Sequence, residues 1–408
     1  LWFLTTLYAV GYLEGSPNRS HFFGYFSLCV TVTIGISLAG NLVTFLLFYE
    51  MLTLATFPLI IHRGTPEAIR AGSNYLLYTF AGGGLFLFGV VWLQALAGPG
   101  SFQAIGLSPE LISTHAVQLR IIFVIMILGV GVKAALVPLH GWLPRAMIAP
   151  APVSALLHAV AVVKAGAFGI IRIVFDVYGI RNCQELGLLS PLFLISSITI
   201  IYGSIMALQQ DNLKRRLAYS TISQVSYIAL GVSLAGQPAA AIGGIVHLVH
   251  QGIMKITLFF CAGNLAETLG IHKISEMKGV ARRLPWTMTA FAVGALGMIG
   301  IPPTAGFVSK WYLGMGGLEA GSWTALTVLV TSSFLNAAYF LPIIIKAFWD
   351  ERRQPWKMER RFGRFETHWM LLFPPLITAF ISLLIGIFAN SQLSPLAWVK
   401  LIVLKYTL

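Results

Sequence analysis

The chain has 408 residues, of which 57% are apolar and 10% are charged, and its mean hydropathy is +0.81. Soluble domains carry about 25% charged residues, so this composition excludes a soluble enzyme, a nucleic-acid-binding module and a disordered protein. The net charge of +13 has to be mapped against a membrane before it is assigned to any partner.

Apolar stretches long enough to span a membrane recur along the whole chain. The sequence predicts eleven complete spans and one partial span, at 1–13 (partial), 22–40, 42–61, 73–97, 117–138, 152–175, 188–208, 217–235, 239–266, 286–312, 323–347 and 369–390. Residues 1–21 are expected to be the tail of a truncated span, because the apolar run that starts at Leu1 is too short to cross a bilayer. Alternating strand patterns are absent from the sequence, so we predict an all-α polytopic membrane protein.

The basic residues outside the spans separate by side when the loops alternate across the membrane. One side receives eighteen Lys and Arg residues and the other receives five. The positive-inside rule assigns the richer side to the cytoplasm. The loops predicted to be cytoplasmic are 62–72, 209–216, 267–285 and 346–368. Orientation in the membrane therefore accounts for the positive charge, and a nucleic-acid partner is not needed.

Five charged residues lie inside the apolar spans. They are Glu50, Lys133, Lys164, Lys255 and Lys310. A charge at the bilayer centre costs about 2.5–3.5 kcal/mol on insertion scales, so these side chains must face the bundle interior, water or each other. A single lysine could merely pin a helix through an ion pair or snorkel to the interface. Four central lysines cannot all snorkel, and one acid cannot pair with all of them.

Histidines accompany two of these lysines. His158 precedes Lys164 by six residues, and His247 and His250 precede Lys255. A buried lysine can exchange its proton near neutral pH when a partner moves or changes charge, and histidine titrates there without help. We therefore predict a Glu/Lys/His proton relay at mid-membrane. A helix-packing role for the histidines stays open, and zinc ligation is less favoured because no cysteine or carboxylate accompanies them.

Two spans are interrupted by proline. Pro138 follows Lys133 by five residues, and Pro302 and Pro303 precede Lys310. Unwound backbone at membrane depth is tolerated only where it is buried in protein or lines a cavity. Paired interrupted spans in two halves of a chain point to an inverted-repeat transporter and to its site.

The two breaks divide the chain into corresponding parts. Each break falls in the fourth complete span of a five-span block, and a block with an odd number of spans inserts its second copy upside down. We predict two inverted five-helix repeats, each with a broken helix, at 22–175 and 188–347. Residues 348–408 are expected to form a cytoplasmic loop, a final span and a C-terminal tail.

The sequence shows no motif for a bound cofactor or metal. Cys29, Cys183 and Cys261 are scattered, and neither a GxGxxG after a strand nor a P-loop occurs. We predict no cofactor, metal or catalytic centre in this chain. Whether it is a subunit of a larger enzyme stays open, since electrons could run through partner subunits.

Four long stretches carry a family resemblance. They are GVKAALVPLHGWLPRAMIAPAPVSALLHAVAVVKAG at 131–166, DNLKRRLAYSTISQVSYI at 211–228, HLVHQGIMKITLFFCAG at 247–263 and RRLPWTMTAFAVGALGMIGIPPTAGFVSKWYL at 282–313. These stretches closely resemble the antiporter-like membrane subunits of respiratory complex I and of Mrp-type cation/proton antiporters. The last stretch is most similar in wording to the D-type branch of the Mrp subunits.

The resemblance implies a fold of about fourteen helices with two inverted five-helix repeats, so that about two spans would precede Leu1. It matches Glu50 to the family's essential glutamate and Lys133 to the lysine of the first broken helix. The remaining matches are His158 and Lys164 on the next helix, Lys255 on the central axis and Lys310 in the second broken helix. In the family mechanism, separation of the glutamate from the first lysine drives a proton toward the central lysines.

One position departs from the family pattern. Many relatives place a histidine one turn before the central lysine, where this chain has Gln251. His250 lies about 100° away around the helix. We therefore expect His247, about two turns before Lys255, to be the histidine that faces the relay.

The resemblance and the relay together predict a proton-translocating subunit, with H⁺ movement coupled to Na⁺ in an Mrp-type antiporter of the bacterial inner membrane. The expected partners are other membrane subunits and the lipid bilayer. The alternative is a proton-pumping membrane-arm subunit of an NADH-quinone oxidoreductase or a related hydrogenase-type complex. A self-sufficient transporter of a small solute and a structural anchor with a degenerate relay are less favoured.

Overall fold

The computed structural model describes residues 1–102, 107–352 and 355–407, and within them it contains α-helices and no β-strand. The helices are α1 Trp2–Tyr12, α2 Arg19–Leu38, α3 Leu42–Ile60, α4 Pro66–Ala97, α5 Pro109–Ala134, α6 Trp142–Arg145, α7 Ala151–Ala155, α8 Val162–Arg172, α9 Ile180–Glu185, α10 Leu189–Leu208, α11 Leu213–Ser233, α12 Pro238–Leu269, α13 Pro285–Ile299, α14 Ala305–Glu319, α15 Trp323–Phe348, α16 Trp369–Ile387 and α17 Pro395–Thr407. The all-α prediction is confirmed for this part of the chain.

Eight of the described helices are long and apolar enough to cross a membrane. They are α2, α3, α4, α5, α10, α12, α15 and α16. Each coincides with one of the predicted spans to within a few residues, apart from α4 and α5, which begin about two turns earlier than predicted. Because backbone polar groups must be satisfied internally in lipid, an apolar helix of this length is the expected spanning element.

The two predicted interruptions are visible as helix ends. Helix α5 stops at Ala134, and Ala135 has a left-handed φ of 58°. Helix α13 stops at Ile299, where Gly300 has a φ of 94°, and α14 begins at Ala305. The prolines follow these two helix ends, and a proline cannot supply the N–H that would continue the helix.

The predicted span 152–175 is irregular. It consists of α7, a π-helical turn at Leu156–Val160, α8 and a second π-helical turn at Ile173–Tyr178. His158 lies in the first π-helical turn. Turns of this kind are rare and occur mostly as single insertions in helices, frequently at functional sites. The sequence pattern predicted a plain helix here, because the apolar run is uninterrupted.

Helix α12 is the centre of the molecule, and most of its length is buried among α11, α13, α14 and α16. Small residues allow the closest of these approaches. A Cβ built on Gly231 of α11 would lie 2.6 Å from Cα of Gly244 on α12. Close approach through small residues is the usual way that helices pack in membranes. The polar residues of α12 are thereby held away from lipid.

The basic loop between α15 and α16 is tied to the body of the protein by its own acids. Glu366 accepts hydrogen bonds from the backbone N–H groups of Trp286 (2.9 Å) and Thr287 (2.7 Å) at the start of α13. Arg283 donates to Glu359 at 2.8 Å. A carboxylate at a helix N-terminus satisfies free N–H groups and complements the helix dipole. Beyond α16, the residues expected to form a tail contain helix α17, which packs on α12.

Candidate functional site

Glu50 of α3 and Lys133 of α5 form an ion pair inside the helix bundle. Lys133 Nζ lies 3.6 Å from Glu50 Oε1, and the lysine and glutamate side chains are 1% and 29% exposed. The same ammonium donates a hydrogen bond to the backbone carbonyl of Tyr49 and lies 3.4 Å from the centre of the Tyr49 ring. Aromatic faces attract cations. The lysine is therefore enclosed, whereas the glutamate side chain is partly exposed, and its Oε1 is buried without a hydrogen-bond partner among the described residues.

Glycines set the geometry of this pair. A Cβ built on Gly83 of α4 would lie 2.6 Å from the Glu50 carboxylate, so the carboxylate occupies the space that a side chain would take. On the other side, a Cβ on Gly166 of α8 would lie 2.1 Å from the backbone N of Ala134. Helix α8 therefore packs directly against the end of α5 that carries Lys133.

Lys164 of α8 extends toward the central helix. Its Cε lies 3.9 Å from the position of a Cβ on Gly252 of α12. The Nζ of Lys164 is buried and has no hydrogen-bond partner among the described residues. It lies within electrostatic range of both Lys255 and His247. The structure thus brings Lys164 to the helix that carries Lys255.

Lys255 of α12 is held by neutral acceptors of α11. Its Nζ donates to the hydroxyl of Ser220 at 2.9 Å and to the carbonyl of Leu217 at 3.2 Å. His158 lies within electrostatic range of this lysine, and its ring packs against that of Phe259 with centres 4.7 Å apart. A buried ammonium needs hydrogen-bond acceptors in place of water, and α11 supplies them.

His247 connects α12 to the second broken helix. Its Nδ1 is 2.8 Å from the hydroxyl of Ser309, the residue before Lys310. His250 is equally buried and lies beside the backbone of Ala305 at the start of α14. Both predicted histidines of α12 therefore face α14. Of these two, only His247 has a side-chain hydrogen-bond partner among the described residues.

Lys310 binds the end of α13 from across the break. Its Nζ donates to the carbonyls of Met298 (3.0 Å) and Ile299 (2.8 Å) and to the hydroxyl of Ser333 (3.1 Å). A cation is stabilised at a helix C-terminus, where the last carbonyls lack partners in the helix. The lysine also lines a surface cavity of 440 Å³. A Cβ built on Gly300, which follows α13, would lie 2.7 Å from Cδ of this side chain, so the lysine occupies the space that a larger residue would take.

The eight predicted relay residues thus fall into two groups. Glu50 and Lys133 form one, and the histidines and the other three lysines lie on α12 or around it. Helix α8 joins the groups, since it contacts the end of α5 through Gly166 and carries Lys164 toward α12. Pro138, Pro302 and Pro303 lie in the non-helical segments after α5 and α13.

Several polar residues that contact the predicted relay could not be predicted from the sequence. They are Tyr49, Ser220, Ser309, Ser333, Asn336 and Tyr339. Neutral hydroxyls and amides are common in membrane helices, so nothing in their spacing distinguished them. Among the described residues, no group of three or more His, Cys, Asp or Glu side chains could hold a metal ion.

The apolar helices and the buried charged groups define an integral membrane protein. The chain belongs to the NADH:quinone oxidoreductase/Mrp antiporter transmembrane family, whose model matches residues 39–336.

Individual relatives come from both branches named in that description. The chain is 37% identical over 403 residues to NADH-quinone oxidoreductase subunit N of Desulforudis audaxviator, covering 95% of this chain and 78% of the relative. It is 30% identical over 386 residues to the D-type subunit of the Na⁺/H⁺ antiporter of Bacillus subtilis, covering 94% and 76%. A chain of the Mrp complex from Dietzia sp. DQ12-45-1b has the same fold, with a TM-score of 0.84 at 23% identity over 97% of this chain and 80% of that chain. The family resemblance seen in the motifs is confirmed.

Proposed function

We propose that this chain is a proton-translocating subunit that moves H⁺ through a Glu/Lys/His relay, coupled to Na⁺ in an Mrp-type cation/proton antiporter. The observation that carries the proposal is the series of lysines that starts at the Glu50–Lys133 pair and continues around α12, all of them buried except the partly buried Lys310. Buried ionisable groups in apolar spans are expensive and mark ion or proton pathways.

The contacts suggest an order of events. Glu50 is partly exposed and can move, whereas Lys133 is enclosed. Withdrawal of the carboxylate would leave Lys133 as an unpaired buried cation, which favours release of its proton. Lys164 is the next station, because its helix presses on the end of α5 and its amine lies toward α12. From there the relay continues to Lys255 and Lys310.

The proposed architecture has eleven complete spans and two inverted repeats at 22–175 and 188–347. Three predicted spans are added to the eight long apolar helices: 152–175, 217–235 and 286–312. The first and last are divided in the structure, and α11, in the second, is rich in polar side chains. The two divisions after α5 and α13 support the repeat, and each has a relay lysine beside it. We retain the assignment of the basic loops to the cytoplasm.

The partners implied are H⁺, Na⁺, the lipid bilayer and other membrane subunits. Two relatives named above are subunits by their names, and the structural neighbour is part of a complex. Large apolar side chains exposed along one side of α3, including Leu47, Met51 and Leu54, fit contact with lipid or with another subunit.

The alternative function is that of a membrane-arm subunit of an NADH-quinone oxidoreductase or a related hydrogenase-type complex. The specific observation in its favour is the 37% identity to the oxidoreductase subunit over 95% of the chain, against 30% to the antiporter subunit. The same buried lysines would then carry protons, and the driving reaction would take place in other subunits.

Purification of the native complex through a tag on this subunit, followed by mass spectrometry, tests the choice. Small apolar antiporter subunits without flavin or iron, together with Na⁺-dependent proton movement in inverted membrane vesicles, are expected for the antiporter. Co-purification of flavin-containing or iron–sulfur subunits would overturn the Na⁺/H⁺ assignment and establish the redox-driven alternative. Proton movement that persists in the Lys133→Met variant would overturn the relay in either case.

A further inference from the structure

A continuous series of hydrogen bonds joins Lys255 to Lys310 through α11 and α15. Lys255 Nζ donates to Ser220 Oγ at 2.9 Å, and Tyr339 Oη lies 3.1 Å from the same Ser220 Oγ. The Tyr339 hydroxyl also contacts Asn336 Oδ1. Asn336 Nδ2 in turn donates to the carbonyl of Met298 at 3.2 Å, which accepts from Lys310 Nζ as well.

The three linking side chains are completely buried. A buried polar group costs free energy unless it is hydrogen-bonded, and replacement by an apolar side chain would remove that requirement altogether. Ser220, Tyr339 and Asn336 each bond to the next member of the series, and the series ends at a relay lysine on both sides. Helix packing alone does not require this arrangement.

The direction of the series depends on the charge of Lys255. An ammonium can only donate, so Ser220 Oγ accepts from a charged Lys255 and becomes a poorer acceptor for the Tyr339 hydroxyl, whose single proton can go either to Ser220 Oγ or to Asn336 Oδ1. The tyrosine proton then goes to Asn336. A neutral amine can accept, so the Ser220 proton can turn toward Lys255 and the Tyr339 proton toward Ser220. Asn336 Oδ1 then loses its donor.

We propose that Ser220, Tyr339 and Asn336 couple the charge state of Lys255 to that of Lys310. No covalent bond changes in this step, because only the two hydroxyl protons reorient. The reorientation alters the amide of Asn336, which shares the Met298 carbonyl with Lys310. The three side chains act as positioning residues. This inference rests on the proposed relay and extends it.

The test uses the full chain in its native complex, in inverted membrane vesicles with a fluorescent pH dye. Ser220→Ala removes the hydroxyl that accepts from Lys255, and Tyr339→Phe removes the hydroxyl that continues the series. Each should lower the initial rate of proton movement about tenfold, which is the factor that a lost hydrogen bond to a charged group such as Lys255 represents. Ser220→Thr keeps the hydroxyl and should restore most of the rate. Rates are divided by the amount of assembled complex, so that poor folding does not imitate the effect.

Tyr178→Phe is the matched control. Tyr178 is also completely buried, and its hydroxyl donates to the carbonyl of Leu119 at 2.8 Å, away from the four lysines. The rate of proton movement in Tyr178→Phe should equal that of the wild type. The coupling is overturned if Tyr339→Phe stays within about threefold of the wild type, or if Ser220→Thr is as slow as Ser220→Ala.

Lys255→Met separates this inference from the proposed function. Loss of proton movement in Lys255→Met with a normal rate in Tyr339→Phe would overturn the coupling and leave the relay intact. Normal proton movement in Lys255→Met would overturn the proposed relay itself. Loss of proton movement in Lys255→Met and a slow rate in Tyr339→Phe, together with a higher rate in Ser220→Thr than in Ser220→Ala, support both the relay and the coupling.

Discussion

Lys133 Nζ lies 3.6 Å from Glu50 Oε1, and the lysine is enclosed while the glutamate side chain is partly exposed. The enclosed member is held additionally by the backbone carbonyl and ring of Tyr49. The exposed member rests in the space left by Gly83. The pair is therefore asymmetric: Glu50 is the partner that can change position, and Lys133 is the partner that is held in place.

This asymmetry predicts the effect of neutralising either partner. Glu50→Gln and Lys133→Met should abolish coupled proton movement in inverted vesicles, because each removes the charge change that the relay requires. The amount of assembled complex should remain close to that of the wild type. Lys405 is an exposed residue of α17, and the Lys405→Ala variant should move protons normally. A rate for Lys133→Met equal to that of Lys405→Ala would contradict the mechanism.

Two neighbouring glycines of α4 provide a finer test. In Gly83→Ala the new Cβ would fall 2.6 Å from the Glu50 carboxylate, which can shift because it ends a flexible side chain. We expect normal stability and a reduction of proton movement of roughly threefold or more, since a displaced reacting group loses rate. Gly84→Ala meets no atom within 4 Å and should behave as the wild type. Equal rates in the two variants would show that the carboxylate position is unimportant.

A buried acid anchors the C-terminal helix. Asp176 accepts from Arg172 at 2.8 Å and from the Tyr406 hydroxyl of α17 at 2.5 Å. Asp176→Asn should destabilise the purified protein by about 1–3 kcal/mol, because it weakens two hydrogen bonds to a buried charge. Thermal unfolding in detergent measures this change. The control is Glu185→Gln, which breaks the exposed pair with Arg181 and should cost less than about 1 kcal/mol.

The loop before α16 should respond to pH. The Lys357 ammonium, hydrogen-bonded to Glu276 at 2.5 Å, holds the pKa of that carboxyl below its ordinary value of 4.5. A depressed pKa stabilises the attached loop above pH 4.5, and the stabilisation is lost as the pH falls through the lowered value. A nitroxide at Pro355→Cys should therefore become more mobile in acid. The native cysteines at 29, 183 and 261 are buried and should not take the label.

Glu276→Gln supplies the control for that measurement. It imitates the protonated acid, so the nitroxide should be mobile already at neutral pH and insensitive to acid. A label whose mobility follows the same pH curve in the wild type and in Glu276→Gln would assign the change to another group.

The membrane character, the helical class and the identity of the buried charges could be read from the sequence. Each follows from a local property: the length of an apolar run, the absence of strand alternation, or a charge in an apolar span. The ends of α5 and α13 could also be predicted from local sequence, because Pro138, Pro302 and Pro303 cannot donate the N–H that continues a helix.

The partners of the charges could not be read in this way. Ser220 is 35 residues from Lys255 in sequence, and Tyr339 is 119 residues from Ser220. Both are ordinary residues for a membrane helix. The π-helical turn that carries His158 was missed as well, since an uninterrupted apolar run is equally compatible with a plain helix.

By itself the sequence determined that five charges must be sheltered from lipid, because the cost of exposing them there depends only on their chemistry. Only the tertiary structure decided what shelters them. Glu50 meets Lys133 because Gly83 leaves room for the carboxylate, and Lys255 meets Ser220 because α11 and α12 approach closely at small residues such as Gly231 and Gly244. Hydrogen bonds are short-ranged and directional, so they depend on the packing of helices far apart in the chain.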